Sequence, residues 1–333
     1  MTNRRAFLKT CAYAGAGPLV AAMAVPAIAA VQAAFPTRPV RVTTPFPAGA
    51  GPDAVLRLVG EQLGRRWGQP VIIDNKPGGS GFIAYGAFRQ GATDGHELIQ
   101  LDSNHVTTHP HTFSKLPYNV ERDFTAIAML LRTPFFVAVA ADSPFKSLDD
   151  IVNAARVKPD AVTYGSWSNG SPGHIGALRL QSLKGIQMLH VAYRDFGALY
   201  AAVANKEVDW ALASAASAGA LERSGRIRFL ALAAGQRDPL YPNVLATAEL
   251  PALRGFEVSA WAGLFGPKAM PPAVRSQIAA DVSAAMAQPD VVERYRTLGY
   301  EMPKLTPAAF EEVIRRETLA WADVIKAANL KLD

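Results

Sequence analysis

Four loops gather the residues that could hold a small ion. They are Pro45-Phe46-Pro47-Ala48-Gly49-Ala50-Gly51-Pro52-Asp53, Asn75-Lys76-Pro77-Gly78-Gly79-Ser80-Gly81, Asp102-Ser103-Asn104 and Ser166-Trp167-Ser168-Asn169-Gly170-Ser171-Pro172-Gly173-His174. Glycines let a ligand approach the backbone, and free N–H groups at a helix start favour an anion. The serines and asparagines add neutral donors. One such loop is usually only a turn. Three of these four run from a strand end into a helix start, and together they could surround a small anion without any bond-making step.

Other chemistries fit less well. Gly49-x-Gly51-x-x-Ala54, with Asp74 twenty residues after Ala54, has the outline of a dinucleotide fingerprint. It supports the alternative of an exported nucleotide-dependent oxidoreductase. Pro45, Pro47 and Pro52 crowd that turn, and Pro52 removes an N–H that a pyrophosphate would want. His105, His109 and His111 invite zinc, yet Pro110 keeps His109 out of a helix interior and no Asp or Glu lies within the cluster. Surface or pocket histidines are the better reading. Ser80 lacks the final glycine of Gly-x-Ser-x-Gly. Asn169-Gly170-Ser171 matches a glycosylation sequon by chance. Asp53, Asp74, Asp94, Asp102 and Asp209 stand singly. No catalytic residue, metal or cofactor is expected.

Positioning these loops requires alternating elements. Val40-Arg41-Val42-Thr43, Val71-Ile72-Ile73 and Leu98 to Leu101 read as strands. Helical spacing runs from Asp53 to Gly64, with Val55, Leu56, Val59 and Leu63 on one side, and again from Phe82 to Gln90. Strand–helix–strand at this spacing implies parallel βαβ units. A second series follows Phe135 to Val139: a helix over Leu148 to Arg156 capped by Ser147, a strand at Val162 to Tyr164, a helix from His174, a strand at Met188 to Val191, a helix from Phe196, and strands near Val208 and at Arg228 to Leu232. Phe256 to Phe265 turns strand-like again, and helices over Pro272 to Gln288 and Pro307 to Ala328 close the chain. The expected fold is α/β with two lobes, each a mainly parallel sheet flanked by helices. Residues 35–138 and 254–333 make the first lobe, and 139–253 the second.

The start of the chain gives an address. Arg4-Arg5-x-Phe7-Leu8-Lys9 looks like a twin-arginine export signal, followed by an Ala/Gly-rich run and the small-residue site Ala27-Ile28-Ala29. Residues 1–33 are therefore set apart as a signal peptide, and a periplasmic location is expected. The formal charge of +6 includes Arg4, Arg5 and Lys9, so half of it leaves with the signal. That is too little to argue for nucleic acid. The single cysteine, Cys11, also lies there, so no disulfide or Cys-ligated metal is expected beyond it.

Read in order, Phe35-Pro36-x-Arg38-Pro39-Val40, Pro45-Phe46-Pro47-x-Gly49, Gly68-Gln69-Pro70-Val71, Asn75-Lys76-Pro77-Gly78, Asp94-Gly95, Lys115-Leu116-Pro117-Tyr118, Asp123-Phe124 and His190-Val191-x-Tyr193 resemble the Bug family of substrate-binding proteins of tripartite tricarboxylate transporters. The likeness spans about Phe35 to the C-terminus. It implies a two-lobed periplasmic-binding-protein fold of type II kind and a monomer. Such a protein captures a small carboxylate and delivers it to membrane permease subunits; a sensor module serving a receptor is the other partner reading. The loop matching Ser166, Trp167, Ser168, Asn169, Gly170, Ser171, Gly173 and His174 would hold a carboxylate. Phe46, Ala48, Gly49 and Asp53, with Gly79, Ser80, Gly81 and Phe82, would close from the other lobe. Ser103, Asn104 and Tyr193 complete the candidate set. Ala213 stands where family members that bind amino acids carry an Asp, and Phe82 where a small or amide residue is common. Ala213 points to a ligand without an ammonium group, and Phe82 and Trp167 to one with an apolar or aromatic body.

Overall fold

The computed structural model describes residues 35–333, so the expected signal peptide lies outside the described residues. The first strands are β1 (Val40–Thr44), β2 (Val71–Asn75) and β3 (Glu97–Asp102). β1 is central and parallel to both neighbours, with Val40 opposite Val71 and Arg41 opposite Glu97. α1 (Gly51–Trp67) crosses from β1 to β2 and buries Val55, Leu56, Val59 and Leu63. It starts with Pro52 in its first turn, where a missing N–H costs nothing, and stops at Gly68 in the left-handed conformation. The short α2 (Phe82–Phe88) follows a tight turn at Gly79–Gly81. β4 (Phe124–Pro134) then runs for eleven residues, nearly all buried.

The chain next enters a second sheet. β5 (Phe136–Ala140) leads to α3 (Leu148–Val157), β6 (Thr163–Ser166), α4 (Pro172–Lys184), β7 (Leu189–Ala192), α5 (Phe196–Ala204), β8 (Trp210–Ala213), α6 (Ala215–Arg223) and β9 (Ile227–Leu232). Ser147 caps α3 as expected: its hydroxyl accepts from the Asp150 N–H at 3.1 Å, and the Asp150 carboxylate accepts from the Ser147 N–H at 3.0 Å. β10 (Ser259–Pro267) returns to the first sheet. α7 (Pro272–Met286), α8 (Pro289–Leu298) and α9 (Pro307–Ala327) follow. Each carries proline in its first turn. No helix among the described residues is long and apolar enough to cross a membrane.

The strand orders β2-β1-β3-β10-β4 and β7-β6-β8-β5-β9 have the same plan. In each, three strands run parallel through helical crossovers. The strand that arrives from the other sheet, β10 or β5, is antiparallel to both neighbours. Four of the five strands in each sheet thus point the same way, and the one reversed strand makes the sheet mixed. A strand entered directly from outside has no helix to reverse its direction.

The two crossings between sheets lie side by side. The Phe135 N–H donates to the Val258 carbonyl at 3.1 Å, the Val258 N–H to Ala233 at 2.9 Å, and the Ala233 N–H back to Phe135 at 2.8 Å. Residues 136–138 thus pair in the second sheet, and Phe256 and Val258 pack in its core, although the sequence reading assigned both stretches to the first lobe. Both faces of each sheet are covered by apolar clusters. A small fifth cluster joins Ile175 of α4 to Trp321, Val324 and Ile325 of α9, so the last helix also touches the second lobe.

Candidate functional site

The loops after β1, β2, β3 and β6 all stand at the C-terminal ends of parallel strands, the usual ligand edge of such sheets. In the first loop the decisive residue is Asp53. It is fully buried and accepts from the Gly49 N–H at 2.8 Å, Arg57 Nε at 2.9 Å and Asn75 Nδ2 at 2.7 Å. Asn75 also donates to the Phe46 carbonyl at 2.9 Å, which ties this loop to the next. Burial alone would push the Asp53 carboxyl up; the hydrogen bonds from Arg57, Asn75 and Gly49 outweigh it and hold it below the usual range. Asp53 fastens the loop from beneath.

The second loop carries four consecutive left-handed residues, Gly78 to Gly81, of which Ser80 alone has a side chain. The third leads into a wide helical turn over Asn104–Thr108. There the Asp102 carboxylate accepts from the His105 N–H at 3.1 Å and lies 2.5 Å from His105 Nδ1. Burial pushes Asp102 up, but attraction to the His105 ring when protonated and the hydrogen bonds from His105 keep it below the ordinary carboxylate value.

The fourth loop is fastened by neutral groups. Ser166 is fully buried; its hydroxyl donates to the Ser168 carbonyl at 2.9 Å and lies 2.7 Å from His190 Nε2. The Gly170 N–H donates to His174 Nδ1 at 3.0 Å, and the His174 ring stacks on His190 at 3.9 Å. Burial, with repulsion from His190, lowers His174 to about 4, so it is neutral at physiological pH. Ser171 caps α4 by accepting from the His174 N–H. Among the described residues the N–H groups of Ser168 and Asn169 find no protein acceptor.

A cavity of about 270 Å³ opens between these loops. The first lobe lines it with Pro45, Gly78, Ser80, Gly81, Asn104, His105 and His109, and the second with Ser168, Asn169, Gly170 and Ser171. Leu332 closes one side: its N–H donates to the Thr112 carbonyl at 3.0 Å, and a Cβ at Gly170 would stand 2.6 Å from its Cδ1. No lysine or arginine is among the lining residues. A larger groove of about 550 Å³ lies between α7 and residues 302–307, away from every candidate loop.

The structure thus gathers Ser80, Gly81, Asn104, Ser168, Asn169, Gly170 and Ser171 from the predicted set. The others stand outside the lining. Phe46, Ala48, Gly49 and Asp53 build the first loop, and Gly79 sits within the tight turn. Ser103 borders a small pocket behind the cavity. Phe82 packs edge-on against Phe113 at 5.1 Å in its own lobe, and Trp167 packs between Phe135 and Phe196 with Gly173 beneath its ring. Neither ring gives the cavity an apolar wall. Ser166 and His174 spend their side chains on the loop itself. Tyr193 packs against the second core, its N–H on the Ser166 carbonyl at 2.8 Å. Ala213 is fully buried at the end of β8, opposite Phe136.

The rival sites look different in three dimensions. Asp74 lies beside Lys76 at 3.3 Å and Arg41 at 3.9 Å, and the Tyr300 hydroxyl occupies the space over Gly51 that a pyrophosphate would need. The three histidines take separate partners: Asp102 for His105, Tyr118 for His109 at 3.3 Å, and the Thr318 carbonyl for His111 at 3.1 Å. Sequence reasoning put His105 and His109 in a pocket or on the surface; Leu332 gave no signal, being an isolated leucine far along the chain.

Comparison with known proteins converges on one group. A family model described as the tripartite tricarboxylate transporter family receptor matches residues 55–330. The UPF0065 protein in the tcbD-tcbE intergenic region of Pseudomonas sp. (strain P51) is 30% identical over 292 residues, 88% of this chain and 87% of that protein. Among solved structures, MatC from Rhodopseudomonas palustris with bound malate superimposes with a TM-score of 0.72 at 30% identity, covering 87% of this chain and all of that one. A second R. palustris protein, solved with adipate, gives 0.75 at 25% identity and covers 89% and 99%.

Proposed function

The chain belongs to the tripartite tricarboxylate transporter receptor family and is a solute-binding receptor rather than an enzyme, and from that premise we propose that it captures a small organic carboxylate in the cavity between its two sheets. The observation that carries the reading is the composition of that cavity. Loops from both lobes meet there with hydroxyls, amides and open backbone N–H groups. Ser168 and Asn169 offer N–H donors beside the α4 N-terminus, where the aligned peptide dipoles favour an anion. Ser80, Gly81 and Asn104 face them from the first lobe. The ligand carries no ammonium group, because no carboxylate lines the cavity and an unpaired buried charge is costly.

The lobes divide at the paired crossings near Phe135 and Val258, which form the hinge. A ligand that touches both sides favours the closed form by its differential contacts. The protein acts as a monomer in the periplasm, reached through the twin-arginine signal, and hands its ligand to the membrane subunits of a tripartite transporter.

A thermal-shift screen against mono- and dicarboxylic acids tests the binding step. A ligand at a hundred times its Kd stabilises the fold by about 2.7 kcal/mol. Unfolding midpoints unmoved by every acid would overturn the proposal. Replacing Arg4 and Arg5 by lysine tests the route: undiminished periplasmic yield would exclude the twin-arginine pathway.

A further inference from the structure

The cavity contains one polar group that the reading above leaves idle. His105 is 7% exposed, lines the cavity, and turns Nδ1 to the Asp102 carboxylate. With Nδ1–H given to Asp102, Nε2 is an acceptor in the neutral ring and a donor once protonated. Nε2 has no partner among the described residues. Its edge lies against Gly81, also part of the lining, so closely that a Cβ there would overlap the ring.

We propose that His105, oriented by Asp102, meets the second carboxylate of a dicarboxylic ligand and takes up a proton as that end docks. The inference rests on the carboxylate reading above. One carboxylate can use the neutral donors of the 166–171 loop. A second, carried between the lobes, finds no lysine or arginine in the lining. It would remain an unpaired charge out of water unless a neighbouring group became cationic. The proton comes from solvent and goes to Nε2, with Asp102 behind the ring to compensate the imidazolium.

The groups around His105 leave that role to it. His109 has its ring 5.1 Å away, but burial, with repulsion from His105 when that ring is protonated, lowers it to about 4, and its Nδ1 is beside the Tyr118 hydroxyl. Tyr118 donates to the His105 carbonyl at 2.6 Å, and burial pushes its phenol well above the ordinary value. On α9, Glu317 is held by Trp261 Nε1 at 2.8 Å. Beyond α9, Lys331 donates to the His111 carbonyl at 3.3 Å, and Asp333 accepts from the Ser114 N–H at 2.9 Å. Across the cavity, His174 is engaged by Gly170.

Titration calorimetry on the purified protein decides the matter, with succinate, malate and adipate compared with butyrate and hexanoate. Each is run in buffers of different ionisation enthalpy at several pH values. Dicarboxylate binding should take up protons, and its affinity should fall by up to about tenfold per pH unit as pH rises. Monoacid binding should do neither. His105→Gln should abolish the uptake and weaken dicarboxylates at least tenfold while changing monoacids less than about twofold, a charge-assisted contact being lost only for the former. Asp102→Asn should reduce the uptake with the ring still present. Dicarboxylate binding without proton uptake, uptake that persists in His105→Gln, or equal weakening of both acid classes would overturn the assignment and leave the carboxylate reading intact. Failure of every acid to bind would overturn that reading, and this one with it.

Discussion

The loop after β1 and the loop after β6 occupy corresponding places in two sheets of the same plan, yet they are fastened by opposite means. The first is pinned by a buried carboxylate, Asp53, that gathers a guanidinium, an amide and a backbone N–H. The second is pinned by two stacked neutral imidazoles and a buried serine hydroxyl. The second leaves the Ser168 and Asn169 N–H groups at the rim without a protein acceptor among the described residues, whereas the first spends the Gly49 N–H on Asp53 itself. They differ in what breaks them. A charge-centred clasp fails when its carboxylate is removed or protonated, and an imidazole-centred one fails when the ring becomes charged.

The largest effect should come from the first clasp. Asp53→Ala leaves Asn75, Arg57 and the Gly49 N–H without their shared acceptor. It should cost about 3 kcal/mol in urea unfolding, within the range for breaking a buried charged network. An unchanged midpoint would remove the charge-centred half of the comparison.

Acid should separate the two next. His174 is lowered from an ordinary 6.5 to about 4, so the unfolded chain takes the proton first. Stability should therefore fall as pH drops from about 6.5 toward 4, by at most about 1.4 kcal/mol per pH unit for such a histidine. His109, lowered in the same way, adds the same trend in the first lobe. His174→Gln keeps an acceptor near Gly170 and should flatten the second-lobe share of the slope. Asp53 is depressed, so its contribution persists through this window and is lost only as pH falls below the ordinary carboxylate range. A slope untouched by His174→Gln in thermal melts would contradict this division.

Smaller effects sharpen the picture at the rim. Asn169→Ala should weaken a bound dicarboxylate by roughly 1 kcal/mol, the net value of a hydrogen bond, with little change in melting temperature. Ser80→Gly should raise stability by up to about 1 kcal/mol, because Ser80 holds a left-handed φ of 52° that a side chain disfavours. A drop in the urea midpoint would mean that the Ser80 side chain contributes more than its conformation costs.

The unequal legibility of the two clasps has a physical cause. Alternating apolar runs and amphipathic stretches make the strand ends readable, and with them the position of every glycine loop. β4 escaped because Phe124-Thr125-Ala126-Ile127-Ala128-Met129-Leu130-Leu131 is buried on both faces and shows no alternation. α8 escaped because Pro289 follows α7 so closely that the two helices read as one stretch and a loop. Inside the loops, residue type does not say which way a side chain turns. Ser166 and His174 look like ligand donors and serve the loop, whereas Phe82 and Trp167 look like cleft walls and pack inward. The Asp102–His105 contact spans three residues, but nothing in its spacing shows that the free nitrogen borders Gly81.

The segment beyond α9 bears on how the protein is handled in the laboratory. Leu332 rests on Gly170 and Asp333 on Ser114, at the rim of the cavity. An affinity tag or fluorescent reporter joined after residue 333 would begin at the mouth of the cleft and compete with whatever enters. A label on the solvent-facing side of α8, near the exposed Glu293 and Arg296, avoids that obstruction. Binding assays on tagged material should therefore be repeated after the tag is cut away.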